Sequence, residues 1–408
     1  MRVEDVPLEQ IDVAHPRLFR DARVLPYLAR LRREAPVHYC ADSPFGPYWS
    51  ITRYEDIQAI ELDPETFSSD YRLGGIELSG MPGDAELFPA FITMDPPEHG
   101  VRRKTVTPMF SRSSLERLGA IIRARAARIL DELPIGEEFD WVDRVSIELT
   151  AMTLATLFDF PLEEWRKLAR WSIVMTAAPG GPIVATQEQK RAELQECFAR
   201  FTELWNARVN RPPAGDLISL LAHGETTRNM TVDEFYGSVT LLIIGGNDTT
   251  RNSISGSVYA LNHFPEQYTR LREDPSLVAK MVSETLRWHT PAAHMRRTAR
   301  MDVEFQGRSI RKGDKLALWY ISANRDETAI EQPDEFIIDR AQPRRHLSFG
   351  HGIHRCVGAS LAELQLQIIW EEILKRFPTI ELCSEPRRTF SSFINGFDWM
   401  PVRIPRRT

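Results

Sequence analysis

The stretch from Thr231 to Pro265 constrains the fold more than any other part of the chain. Thr231 and Glu234 form a capping box, in which each side chain satisfies a free N–H of the first helical turn. An apolar run through Leu241, Leu242, Ile243 and Ile244 follows, and Pro265 ends the pattern. At 1.5 Å per residue some thirty residues span about 45 Å, enough to cross an entire domain. A helix of that length needs the rest of the molecule packed around it. In its middle stand Gly245, Gly246, Asn247, Asp248, Thr249 and Thr250. Glycine inside a helix costs about 1 kcal/mol relative to alanine, and an acid beside an alcohol is hard to explain by packing in so apolar a run. A helix that departs from local preference in this way often serves a site. The alternative use of the glycines is close approach by a crossing helix.

Other periodic segments agree with a helical protein. Helices are expected around Leu115–Leu133 and Gln189–Val209. A last long one should run from near Cys356 through Leu361, Leu364, Ile368, Ile369 and Ile373 to Phe377. Val37–Tyr39, Tyr48–Ile51, Val303–Phe305 and Lys315–Trp319 read as strands. Two stretches rich in Gly and Pro, Leu73–Pro89 and Ala177–Pro182, read as long loops, either functional or merely connecting. The expected fold is therefore mainly α, with a long central helix and a minor β region. The chain has 408 residues, 42% of them hydrophobic, and shows no Gly/Ser linker and no internal repeat. One large domain over residues 1–408 is expected.

The net charge of −6 argues mildly against nucleic acid as a partner. Cys40, Cys197, Cys356 and Cys383 are widely spread, so neither a zinc site nor a disulfide framework is suggested. A reducing compartment fits. The N-terminal segment carries no apolar run of signal-peptide or membrane-anchor length. The expectation is a cytoplasmic protein with no membrane anchor.

Residues Phe349 to Gly358 read FGHGIHRCVG. The cysteine stands just ahead of a strong helix, whose positive dipole end favours thiolate over thiol. Gly350 and Gly352 let the backbone pass close to a flat cofactor and turn N–H groups toward sulfur, where hydrogen bonds tune an iron's potential. Singly, these features are weak, since a lone cysteine before a helix is usually a small buried hydrophobe. The whole string resembles the haem-binding loop of the cytochromes P-450, FxxGxxxCxG. GGNDT resembles that family's oxygen-binding groove, and Glu284 with Arg287 its ExxR pair, in the right order along the chain.

The resemblance implies a monooxygenase that binds haem b, with Cys356 as the axial ligand and metal-binding residue. Phe349, Gly350 and Gly358 complete the loop. Gly246 is implied to leave room for oxygen, Thr249 to hydrogen-bond it and Asp248 to pass protons inward from solvent. His99 and Arg103, at i and i+4 in DPPEHGVRRK, are implied to reach the haem propionates together with Arg297 and His354. Glu284 and Arg287 are implied to be structural. Glu335 stands where many relatives have arginine, so Arg340 is the candidate third member.

About fifty residues follow Cys356, and no Rossmann fingerprint or cysteine cluster appears elsewhere. Electrons are therefore expected from a separate ferredoxin and ferredoxin reductase, docking on a basic face that includes Arg102, Lys104, Arg344, Arg345 and Arg355. By position in the family, a hydrophobic small-molecule substrate is implied to sit among Leu73, Ile76, Leu78, Met81, Phe88, Leu242, Ile243, Ala292, Ala293, Met295, Phe393 and Ile394. Trp171–Met175 is the candidate roof. SPFGPYWS, GGNDTTRN, TLRWHTP, HMRRTA and WEEILKRF look like the bacterial branch that hydroxylates the ends of medium-chain alkanes and fatty acids. Sterol or branched-lipid hydroxylation, peroxide-driven hydroxylation and a non-catalytic haem-thiolate sensor are the alternatives. The intact Asp248-Thr249 pair speaks against the last two.

Overall fold

The computed structural model describes residues 2–79, 88–177, 180–181 and 183–408. Its axis is the helix Val232–His263. Thr231 caps it as the sequence predicts: the Thr231 hydroxyl accepts from Glu234 N–H (3.2 Å), and Glu234 accepts from Thr231 N–H (2.8 Å). The helices Trp165–Thr176, Val278–His289, Glu148–Phe158 and Ala359–Arg376 pack on it, and Arg112–Asp131 backs the last of these. From Asn247 to Leu261 nearly every residue of the central helix is buried, so its C-terminal half has no solvent face. Serines permit that burial because each finds a partner. Ser255 Oγ lies 2.9 Å from Ser146 Oγ, and Trp370 Nε1 donates to Ser257 Oγ at 2.7 Å.

All four predicted strands form. Val37–Cys40, Tyr48–Ile51, Lys315–Leu318, Met295–Ala299 and Phe67–Ser68 make one sheet in that order. Only the pairing of Tyr48–Ile51 with Lys315–Leu318 is parallel. Val303–Phe305 pairs instead with Arg308–Ile310 in a separate hairpin. The helix expected at Leu115–Leu133 runs Arg112–Asp131, and that expected at Gln189–Val209 runs Gln187–Val209. The last long helix covers Ala359–Arg376, so Cys356 precedes it by less than one turn.

A charged cluster locks this frame. Glu284, 1% exposed, accepts from Arg287 Nη2 at 2.7 Å and Nε at 2.8 Å. Arg340 Nε lies 3.0 Å from both carboxylate oxygens, and Ile337 N–H donates at 2.8 Å. Arg340 is thus the third member, and Glu335 contributes only its backbone carbonyl, to Arg287 Nη2 at 2.8 Å. Arg287 Nη1 also holds the carbonyls of Asn324 (2.8 Å) and Pro333 (2.6 Å). The cluster therefore binds the helix Val278–His289 to the chain leading into the cysteine loop. Arg287→Ala leaves Glu284 buried with less than its full complement of charge, a type of loss that costs about 3–5 kcal/mol. Chemical denaturation should show a fall of that size, and Glu335→Ala should stay close to the parent.

Candidate active site

The cysteine loop is shaped by two short contacts. Cys356 N–H donates to Phe349 O at 2.8 Å, closing the loop on itself. Gly352 adopts φ +62°, and a Cβ there would lie 2.3 Å from the carbonyl oxygen of Glu61, so only glycine lets the loop pass under the helix Tyr54–Glu61. Cys356 lies deep in the protein yet is accessible through the cavity that it lines. Burial is the larger effect and raises its thiol above the usual cysteine value, against the N–H groups of Gly358 and Ala359 and the charges of Arg103 and Arg355, which pull it down. These donors and charges favour sulfur as an anion, the form that ligates iron.

The cavity has a volume of about 180 Å³. The cysteine loop forms part of its wall through Phe349, Gly350, His354, Cys356, Val357 and Gly358. The central helix contributes Leu241, Leu242, Gly245, Gly246, Thr249, Thr250 and Ser253. Those seven fall at i, i+1, i+4 and i+5 and their repeats, a single stripe of an α-helix. Gly245 opens on empty space, with no atom within 4 Å of a built Cβ, whereas a Cβ on Gly246 would meet Leu154 Cδ1 at 2.9 Å. Gly245 thus gives the cavity its room, and Gly246, although it touches the cavity, also serves a helix crossing. Thr249 turns its hydroxyl to the Gly245 carbonyl at 3.3 Å.

Asp248 faces the other way. Its carboxylate is wholly buried and accepts from Ser172 Oγ (2.9 Å) and Thr176 Oγ1 (3.3 Å), both on the helix Trp165–Thr176, and lies 3.2 Å from Arg251 Nη2. Acid and alcohol are therefore adjacent in sequence but diverge by about 100° around the helix, one to the helix Trp165–Thr176 and the other to the cavity. Sequence reasoning missed Ser172 and Thr176. The stretch Trp171–Met175 attracted notice only as a roof, and in the structure Trp171 belongs to the core beside Phe160 and Phe201.

Four residues were expected at carboxylates of the cofactor. His354 and Arg297 wall the cavity. Both ring nitrogens of His354 are buried and lack a partner, and burial together with the Arg297, His99 and Arg103 charges lowers its pKa to about 2. Such an orphaned pair calls for an acceptor inside the cavity, as an acidic group of a flat cofactor supplies. Arg297 points at that region but donates from Nη2 to Glu61 Oε1 at 2.9 Å. His99 and Arg103 instead serve the loop. The His99 nitrogens lie 2.8 Å from Phe91 O and 2.9 Å from Ile353 O, and Arg103 donates to Arg355 O at 2.6 Å. N–H groups and positive charges around the sulfur, unpartnered His354 and an apolar cavity over the cysteine loop together fit a haem.

Of the substrate positions, Ile76, Leu242, Ala292 and Met295 reach the cavity. Met81 lies outside the described residues. Ile243 is off the cavity stripe and fully buried in the main core. Leu78 and Ala293 belong to the core around Phe19 and Trp319. Leu73 uses its carbonyl to hold Arg296 (2.6 Å), and Phe88 packs edge-on against Phe198 and Tyr236. Phe393 packs on His294, and Ile394 bridges Ala292 while remaining buried. Phe91, Ile92, Phe110, Leu217 and Leu241 line the cavity unannounced. Leu241 was available from periodicity, four residues ahead of Gly245. Of the basic residues expected at a docking face, Lys104, Arg344, Arg345 and Arg355 are exposed, but Arg102 is paired with Glu234.

The two glycines make a direct comparison. Gly245→Ala meets nothing and should stabilise the haem-free protein by about 1 kcal/mol through helix propensity, while narrowing the cavity. Gly246→Ala should gain less or lose stability, because Leu154 must move. Urea midpoints of the two variants, measured side by side, check that order.

Comparisons with known proteins agree with this geometry. The family model described as Cytochrome P450 matches residues 136–394. Linalool 8-monooxygenase of Pseudomonas putida is 36% identical over 95% of this chain and 97% of its own. The methyl-branched lipid omega-hydroxylase of Mycobacterium bovis is 31% identical over 92% of this chain and 89% of its own. Among solved structures, cytochrome P450-153 from Novosphingobium aromaticivorans superposes with a TM-score of 0.89 at 45% identity, covering 96% of this chain and 99% of that one. The chain belongs to the cytochrome P450 family and is a monooxygenase of hydrophobic substrates whose cofactor is haem b.

Proposed function

We propose that this P450 hydroxylates an uncharged aliphatic chain at or near its end, a medium-chain alkane being the simplest case. The observation that carries the reading is the chemistry of the cavity wall. Ile76, Phe91, Leu241, Leu242, Ala292 and Met295 are apolar. Among the described residues, the fixed side-chain charges on the wall are Glu61 and Arg297, and they are paired with each other. Residues 80–87, 178, 179 and 182 include no Lys or Arg. A fatty-acid carboxylate would find no spare cation there, and an unpaired anion in so apolar a place is costly. The names of the relatives, a linalool monooxygenase and a lipid omega-hydroxylase, support attack on an aliphatic chain, and the same walls accept a branched one.

A haem bound here would be held by Cys356 and would supply oxygen activation. The protein orients the substrate along the Leu241–Gly245 stripe and excludes water with its apolar walls. Thr249 Oγ1 presents a proton on the cavity side. Asp248 resupplies it from the Ser172–Thr176 side by turning its carboxylate about the helix, since its resting position faces away from the cavity. Electrons come from a separate ferredoxin and its reductase. Lys104, Arg344, Arg345 and Arg355 offer an acidic ferredoxin a basic surface.

Two measurements test this. In a spectral titration, n-octane or 1-octanol should displace water from the iron at much lower concentration than octanoate, and equal or tighter binding of octanoate contradicts the uncharged-chain reading. Thr249→Ala should leave the dissociation constant of n-octane nearly unchanged while product per reducing equivalent falls and peroxide rises. Asp248→Asn should slow turnover, by about 10²–10⁴-fold if it carries a full general-acid contribution. Weakened n-octane binding with unchanged coupling in Thr249→Ala would place that residue in the pocket and outside the proton path.

A further inference from the structure

Glu61 ends the helix Tyr54–Glu61 and, among the described residues, is the one acid on the cavity wall. It lies far in sequence from every motif that marks the family. Its side chain is 1% exposed, and three parts of the fold converge on it. Arg297 Nη2, from the sheet, donates to Oε1 at 2.9 Å. Tyr320 OH, next to the sheet's other inner strand, donates to the same oxygen at 2.5 Å. His351 N–H, inside the cysteine loop, donates to Oε2 at 2.9 Å. The same residue's carbonyl oxygen is the atom that forbids a side chain at Gly352. Both ends of Glu61 thus fix the start of the loop that carries Cys356.

The pairing also changes what Arg297 can do. A guanidinium aimed alone into the cavity would offer a cofactor carboxylate a full positive charge. Joined to Glu61 it offers N–H groups in a fixed direction with its charge already compensated. Arg297 Nη1 is held as well, by the Arg296 carbonyl at 2.8 Å, so the fork cannot swing.

We propose that Glu61 is a positioning residue of the haem site, which orients Arg297, clamps the cysteine loop through His351, and sets a fixed negative charge beside the cofactor. That charge opposes adding an electron to the iron, so Glu61 holds the reduction potential down. Burial raises the Glu61 carboxyl above its usual value, while Arg297, Tyr320 and the His351 N–H favour the anion; Arg297 offsets part of its charge, and burial and local hydrogen bonding are the levers by which a protein tunes a haem. The inference rests on haem binding and is independent of which substrate is used.

The test compares Glu61→Gln with Glu61→Asp in haem-loaded protein, reading the ferric/ferrous midpoint by dye-mediated titration and haem transfer to apomyoglobin. Glu61→Gln, which keeps the shape and removes the charge, should shift the midpoint positive. Glu61→Asp keeps the charge, so its midpoint should stay near the parent, but its shorter arm should release haem several-fold faster. An unchanged midpoint in Glu61→Gln, or an equal shift in Glu61→Asp, overturns the proposal and leaves Glu61 as packing. If Glu61→Gln does not fold, Tyr320→Phe replaces it. Losing one donor leaves the carboxylate less compensated, so the midpoint should move negative, and no shift or a positive one overturns the proposal.

Discussion

The haem-thiolate chemistry of the family requires an ionised cysteine inside the protein, and the rest of this structure is arranged around that constraint. Burial alone drives Cys356 toward the neutral thiol. The opposing forces are short-range: N–H groups at the start of the helix Ala359–Arg376, and the positive charges of Arg103 and Arg355. Hydrogen bonds and charges of this kind act over a few ångströms, so they work only if the loop is held still. The structure holds it from several sides. Arg103 and His99 grip the carbonyls of Arg355 and Ile353. Glu61 grips His351 N–H, and Asn324 Oδ1 takes Leu347 N–H at 2.7 Å. Behind Asn324 stands Arg287, bound to its carbonyl, and behind Arg287 the buried Glu284. A surface-looking ExxR pair in the sequence is in this way connected by contact to the electronic state of a sulfur.

The central helix meets the opposite requirement. It must come close to a flat group without filling the space above it, and it must carry polar atoms in a dry wall. Leaving one stripe bare answers the first need, with Gly245 as its open point. Back-bonding answers the second: the Thr249 and Ser253 hydroxyls bond to the carbonyls of Gly245 and Thr249, four residues earlier. Asp248 is kept off that stripe and tied to the helix Trp165–Thr176. In the proposed mechanism this makes proton supply depend on the position of a second helix, which also leads into the Gly/Pro-rich stretch starting at Ala177.

The sequence made the helical frame readable because its signals are local. A capping box, a proline stop and helical periodicity placed Val232–His263 within two residues, and the cysteine string marked the loop as a unit. Residues that act across the fold were harder. Arg297 was expected at a haem propionate, and its partner Glu61 is 236 positions away, with nothing in either segment to announce the pair. Ser172 and Thr176 had no signal beyond lying on a half-apolar helix. Substrate positions taken from family location fared unevenly for a geometric reason. Neighbours such as Leu242 and Ile243, or Ala292 and Ala293, point to different sides of their element, so choosing both puts one in the core. Applying the helical stripe from Gly245 and Thr249 would have added Leu241 and dropped Ile243.

The account stands on Cys356 being the thiolate ligand of the haem, and one measurement addresses it without reference to substrate, partner protein or turnover. Reduced protein is exposed to carbon monoxide, and the Soret band is recorded for the parent and for Cys356→His and Cys356→Ser. The account predicts the strongly red-shifted band of a thiolate-ligated haem in the parent and its loss in both variants, even where haem is retained. A parent without that band, or a variant that keeps it, would contradict the assignment on which the site has been built.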